Sequence, residues 1–334
     1  MSAVIEVEGL RKTYRRLGKA NTVALDDLSF SVPEGGVFGF LGPNGSGKTT
    51  TIRCLLGLVS PDAGSTRLLG AAPGMLHTVI RRVGSMVETP TFFPTFSGRR
   101  NLRLLAAMNG FGNADVERAL EKVKLADRAG DPFKNYSLGM KQRLGIAAAL
   151  LKDPAILILD EPVNGLDPAG IKEVRDLLRD LGRSGHTVFL SSHLLGEVQQ
   201  ICDRVAILAK GSCVTTGPVG EVLASGHPTA TTLVRAEPGA RAAGALRAAG
   251  FDVVQGEGFL RVAGDVEGPA ITKALADEGI YLSELRRESV DLESVFLTLT
   301  GEATQSCPAC GSPVASDAKF CTTCGAPLAG EATS

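Results

Sequence analysis

The run Gly42-Pro43-Asn44-Gly45-Ser46-Gly47-Lys48-Thr49 restricts this chain more than any other segment. It follows a short apolar, β-rich stretch at residues 37–41 and precedes residues 47–58, which read as a helix ended by Ser60-Pro61. The spacing G-x-x-x-x-G-K-[ST] between a strand and a helix is that of a phosphate cradle. Glycines are required because the backbone must curl until its N–H groups point inward at phosphate oxygens, a conformation that side chains obstruct. The helix start adds about half a unit of positive charge at the same place. Lys48 is expected to reach the β- and γ-phosphates of a nucleotide and the Thr49 hydroxyl to ligate Mg²⁺. Gly42, Pro43, Asn44, Gly45, Ser46, Gly47 and Thr50 complete the expected nucleotide-contacting set.

A cradle binds phosphate but does not cleave it. Ala155-Ile156-Leu157-Ile158-Leu159-Asp160-Glu161-Pro162 supplies what is missing, an apolar strand delivering two adjacent carboxylates to its C-terminal edge. Asp160 is expected to hold Mg²⁺, directly or through water, and Glu161 to polarise the water that attacks the γ-phosphate. Residues 168–181, 187–190, 194–202 and 205–208 then alternate helix, strand, helix, strand, the rhythm of an α/β fold with a parallel sheet. Upstream, residues 4–7 and 29–32 read as strands with 21–27 between them. Residues 99–108, 115–124 and 141–151 read as helices, so the middle third is mainly helical.

The apolar runs, such as 144–151, stop far short of the ~20 residues that span a bilayer. Residues 1–10 lack the basic-then-apolar order of a signal peptide, so residence in the cytosol is expected. A formal net charge of −1 gives no overall field toward nucleic acid or anionic lipid.

Past residues 225–228 the chemistry-bearing residues stop. Strand 231–236, helix 239–249, strands 251–255 and 259–262, helix 266–278 and strand 281–286 follow in the order βαββαβ, which predicts a small ferredoxin-like α+β domain closed by a helix at 291–299. Residues 301–306 are polar and linker-like. Of the seven cysteines, Cys54, Cys202 and Cys213 stand singly and are expected to be ordinary packing residues. Cys307-Pro308-Ala309-Cys310-Gly311 and Cys321-Thr322-Thr323-Cys324-Gly325 form two C-x-x-C-G knuckles, similar to a short zinc ribbon. Cys307, Cys310, Cys321 and Cys324 would close a tetrahedral thiolate site around a structural Zn²⁺; two disulfides or a redox pair are the alternatives. The expected division is 1–225, 229–300 and 305–328.

Tyr136-Ser137-Leu138-Gly139-Met140-Lys141-Gln142-Arg143 lies just upstream of the carboxylate strand, at a helix start. Here the sequence resembles the ATP-binding-cassette family, whose signature reads L-S-G-G-Q; it departs from that signature at Tyr136, Leu138 and Met140. The resemblance covers about residues 4–300, and implies a P-loop ATPase core with a helical subdomain, working as a dimer. By it, Ser137 and Gly139 would bind the γ-phosphate of ATP held by a facing cassette. Tyr14 would stack on adenine, Asn164-Gly165-Leu166-Asp167 would cross the dimer interface, and His193 would contact the γ-phosphate. Glu88 stands where the family usually has Gln, and would keep an oxygen ligand for Mg²⁺ beside Thr49 and Asp160. Similar Glu-containing loops occur in cassettes of bacterial peptide-antibiotic and drug exporters, and Leu292-Glu293-Ser294-Val295-Phe296-Leu297 is typical of export-type bacterial subunits. The partners implied are polytopic membrane subunits and a second cassette, identical or paralogous, on the inner face of the cell membrane, with no nucleic acid. A cassette acting on ribosomes or nucleic acid is the alternative; those relatives carry two cassettes in one chain or long coiled coils between their motifs, and this chain has one compact cassette.

Overall fold

The computed structural model describes residues 3–15, 21–87, 91–226, 231–256, 258–264, 266–287 and 292–300, and of the tail 304–307, 313–315, 320–321 and 326–328. The chain divides into two compact units, Met1–Val219 and Gly220–Ser334.

The first unit runs β1 (Ala3–Tyr14), β2 (Thr22–Pro33), β3 (Gly36–Leu41), α1 (Lys48–Leu55), β4 (Ala63–Leu68), β5 (Val83–Met86), α2 (Gly98–Asn109), α3 (Asn113–Lys122), α4 (Leu138–Leu150), β6 (Ile156–Asp160), α5 (Pro168–Arg183), β7 (Thr187–Ser192), α6 (Leu195–Gln199), β8 (Arg204–Ala209) and β9 (Ser212–Pro218). One sheet has the order β5-β6-β7-β3-β8-β9, parallel except for β9. The other, β2-β1-β4, is antiparallel. The apolar runs of β3, β6, β7 and β8 are buried throughout their middles, as strands covered on both faces must be. Phe30 of β2 lies 4.8 Å from Phe40 of β3 and 6.1 Å from Phe189 of β7, ring centre to ring centre. These rings join the two sheets, and Ile52, Cys54 and Leu55 of α1 pack into the same core.

The helices α2, α3 and α4 form the helical part of this unit. Ser97 caps α2 by accepting from the Arg100 N–H, and Gly110 ends it in the left-handed region. Arg99 of α2 reaches Glu117 of α3 with two nitrogens, at 2.8 and 3.1 Å. Buried residues encircle α4 rather than striping it, in keeping with the small residues Gly145, Ala147 and Ala149.

The structure departs from the sequence expectation in places. Most of residues 21–27, expected between strands, belongs to β2, whose pairing with β1 is repeatedly bulged and so breaks the alternation that would mark it. α1 stops at Leu55, not at residue 58, because Gly57 turns left-handed and its N–H closes onto the Cys54 carbonyl. α6 covers only the middle of 194–202.

The second unit begins with α7 (Val219–Gly226, across the division) and continues β10 (Thr231–Ala236), α8 (Gly239–Ala248), β11 (Asp252–Gln255), β12 (Leu260–Ala263), α9 (Gly268–Asp277), β13 (Leu282–Arg287) and α10 (Leu292–Thr300). Its antiparallel sheet has the order β11-β12-β10-β13, the arrangement of a ferredoxin-like βαββαβ unit. Val234, Leu246, Val262, Ile271 and Leu275 form its core. In the tail, β14 (Thr304–Ser306) pairs with β15 (Pro313–Ala315), and Phe320 bridges to Pro327. No helix among the described residues is long and apolar enough to cross a membrane.

Candidate nucleotide site

Register assembles the site. β3, β6 and β7 are parallel neighbours, with Leu41 opposite Ser192 and Asp160 opposite Ser191. The residues that follow these strands therefore emerge together at the carboxyl edge, where open α/β sheets bind ligands. They are the loop from Gly42, the carboxylates Asp160 and Glu161, and His193.

The loop is closed by its own backbone: the Gly42 N–H donates to the Ser192 carbonyl at 3.2 Å and the Ser46 N–H to the Pro43 carbonyl at 3.2 Å. Gly47 caps α1 with φ 105°. A Cβ there would stand 2.6 Å from both the Ala24 carbonyl oxygen and Leu25 Cδ2, so only glycine fits. The Ser46 hydroxyl is buried without a hydrogen-bond partner among the described residues. A glycine-rich loop at a helix start, holding a buried hydroxyl with no partner among the described residues, fits an anionic oxygen ligand.

Lys48 is buried, and its Nζ donates to the Gly42 carbonyl at 2.7 Å and the Pro43 carbonyl at 3.1 Å. It also lies 3.4 Å from Glu161 Oε1. The other oxygen of Glu161 accepts from His193 Nδ1 at 2.8 Å; an ionised carboxylate can only accept, which puts the proton on Nδ1. Thr49 Oγ1 donates to Asp160 Oδ2 at 2.8 Å. This hydroxyl and carboxylate are hard oxygen donors, the set that suits Mg²⁺. Ser191, which sequence reasoning passed over, donates its hydroxyl to Asp160 Oδ1 and accepts the Glu161 N–H on the same oxygen at 3.0 Å. Its only signal was the doubled serine before His193.

Tyr14, Asn44, Gly45, Gly47, Lys48, Thr49, Thr50 and Glu161 line one cleft of about 330 Å³, with Thr22, Val23 and Ala24 as its remaining wall. Tyr14, far from the loop in sequence, thus shares its cleft. Ser137 and Gly139 are not among the residues lining it. Ser137 caps α4, accepting from the Met140 N–H at 3.2 Å, and is exposed. The departure at Tyr136 has a packing reason: its ring is buried beside Phe133 and its hydroxyl donates to the Arg128 carbonyl at 2.9 Å. Asp167 caps α5 through the Gly170 N–H, and the loop before it approaches the signature, where a Cβ on Gly165 would meet Leu138 Cδ2 at 3.4 Å. Arg143 of α4 pairs with Glu173 of α5 at 3.1 Å. A tied path of turn and helix therefore runs from Glu161 to Ser137.

Glu88, Cys310 and Cys324 lie outside the described residues. Cys307 and Cys321 are buried in one small cluster with Val314, and the Cys321 N–H donates to the Ala326 carbonyl at 2.8 Å. Two thiols drawn into one core from separate knuckles fit a soft metal such as zinc. Burial pushes the thiols of Cys54, Cys202 and Cys213 up, so they remain protonated packing groups.

Comparison with known proteins agrees with this geometry. A family described as ABC transporter matches residues 25–164, and one described as zinc-ribbon domain matches residues 303–328. The ABC transporter ATP-binding protein YhcH of Bacillus subtilis (strain 168) is 39% identical over 309 residues, 91% of this chain and 98% of that protein. The bacitracin transport ATP-binding protein BcrA of Bacillus licheniformis is 35% identical over 312 residues, 91% of this chain and 99% of that protein. Among solved structures, CbiO1 of Clostridium perfringens, part of the ABC transporter complex CbiONQ, matches with TM-score 0.60 and 26% identity over 67% of this chain and 92% of that chain. Similarity over nearly the full length of both relatives, on a fold whose strand ends gather the cradle and the carboxylate pair, places this chain in the family of ABC transporter ATP-binding proteins, the ATP-hydrolysing subunits of such transporters.

Proposed function

We propose that this chain hydrolyses ATP with Glu161 as general base, and that two cassettes closing over ATP drive export by separate membrane-spanning subunits. The observation that carries the reading is the chain of contacts Lys48–Glu161–His193 beside the glycine cradle, at 3.4 and 2.8 Å. The loop N–H groups and Lys48 would bind the phosphates, Lys48 exchanging its two backbone carbonyls for phosphate oxygens. Tyr14 would stack on the base. Mg²⁺, held by Thr49 and Asp160 with Glu88 as a further oxygen donor, would offset the charge on the β- and γ-phosphates. His193, donating from Nδ1, holds the Glu161 carboxylate so that it can take the proton of the attacking water.

Ser137 and Gly139 lie outside the cleft of their own chain, which supports their use on ATP bound by a facing cassette. The path from Glu161 through Asp167 to α5 and α4 would couple the two sites. Docking on the membrane partner would place the chain at the cytoplasmic face. The bacitracin transport relative and the Glu88 loop support a peptide antibiotic or similar amphiphile as cargo. Four thiolates from Cys307, Cys310, Cys321 and Cys324 would hold a structural Zn²⁺.

Glu161→Gln is expected to cut turnover by ~10²-fold or more while ATP stays bound; unaltered turnover would refute Glu161 as the base. Purifying a tagged chain from gently solubilised membranes tests the coupling. Recovery with a polytopic membrane protein supports transport, and recovery with ribosomes or nucleic acid instead overturns it while leaving the ATPase reading intact.

A further inference from the structure

Ser191 is fully buried near the end of β7, opposite Asp160 in the β6–β7 register. Its hydroxyl has one proton and two lone pairs. The proton goes to Asp160 Oδ1. A lone pair accepts the Glu161 N–H at 3.0 Å, which the Ser191 carbonyl also receives at 3.2 Å. One hydroxyl therefore touches both members of the carboxylate pair.

Each contact has a consequence. With Oδ1 engaged, Asp160 is fixed in rotation and its Oδ2 faces Thr49 at 2.8 Å. With its N–H held, Glu161 keeps φ 49°, a left-handed conformation that a non-glycine residue retains only when its surroundings impose it. That turn sends the Glu161 side chain toward Lys48 and His193. Packing does not ask for serine here: residues 188–190 of the same strand are Val, Phe and Leu, all buried. An apolar side chain would fill the position but leave Asp160 Oδ1 without this donor.

We infer that Ser191 is a positioning residue that orients Asp160 toward Mg²⁺ and Glu161 toward the attacking water through a single hydroxyl. The inference rests on the roles given to Asp160 and Glu161 under Proposed function.

The test compares the full chain with Ser191→Ala, Ser191→Thr and Ser191→Cys. ATP affinity is measured with a fluorescent analogue in EDTA and again with Mg²⁺, and kcat and KM are measured separately. Ser191→Ala is expected to bind the analogue in EDTA as the parent does. It is expected to lose ~10-fold of the Mg²⁺-dependent gain in affinity and ~10-fold in kcat, the range for losing a group that orients a metal ligand. Thr restores both; Cys behaves as Ala, and makes the same comparison if Ala fails to fold. A Ser191→Ala chain with the parent's Mg²⁺ gain and kcat overturns the inference. So does an equal loss of affinity in EDTA that Thr leaves uncorrected, which marks a merely structural serine. Asp160→Asn and Glu161→Gln, run in parallel, separate the two readings. If they keep parental turnover the carboxylate assignment itself fails, and if they lose it while Ser191→Ala does not, only the role of Ser191 fails.

Discussion

Lys48 is buried, donates to two backbone carbonyls and stands beside Glu161, so its ammonium is desolvated and aimed at the cradle. Replacing it removes charge-assisted hydrogen bonds worth about 1.5–3 kcal/mol each. Lys48→Ala should therefore weaken ATP binding by roughly 10- to 100-fold, read by titration with a fluorescent analogue; undiminished affinity would contradict its place at the phosphates. At this scale the sequence was most legible where chemistry demands fixed residue types at fixed spacing. Gly47 is such a case: two atoms at 2.6 Å from a would-be Cβ forbid anything else. Ser191 was not legible, because its partners lie across a strand register rather than along the chain. Tyr136 looked like a defect in the signature, and its hydrogen bond to Arg128 appears only once the helical part has folded.

Among the elements, α2 and the signature segment depend on each other. A Cβ on Gly98, the first residue of α2, would lie 2.2 Å from the Tyr136 hydroxyl and 3.0 Å from its Cζ. Gly98→Ala is thus expected to destabilise the chain by about 1–3 kcal/mol by overpacking, measured by denaturant melting. Gly98→Ala combined with Tyr136→Leu should recover part of that loss, and equal loss in both backgrounds would exclude the contact as cause. A second tie joins α3 to the segment before β6, where Lys122 Nζ lies 2.7 Å from Asp153 Oδ1. The hydrogen bond from Lys122 holds the Asp153 carboxyl below the usual range. A depressed folded value means that the tie is fully present above the ordinary carboxylate pKa of ~3.9, and is lost as pH falls through the lower folded value. Asp153→Asn should flatten that part of the acid limb of stability; an unchanged limb would show that the exposed pair contributes nothing. The long apolar strands and helices were readable from pattern. β4 and β9 were not: β4 is mostly exposed and β9 has only one buried residue, so pairing with β1 and β8 rather than periodicity makes them strands.

The whole molecule adds two questions to the ATP site, what the tail holds and what completes the cleft. About one zinc per chain is expected by elemental analysis, lost on Cys307→Ser with nucleotide binding intact, because a short segment with so small a core would need a metal for order. Wild-type protein free of zinc after purification without chelators would refute the site. The second question turns on Ser137, which lies outside the cleft of its own chain. Sedimentation of Glu161→Gln with and without ATP answers it most directly. A stable dimer is expected with ATP, reverting to monomer without nucleotide and failing to form when Ser137→Arg is added. A chain that stays monomeric with ATP bound would contradict the use of Ser137 by a facing cassette.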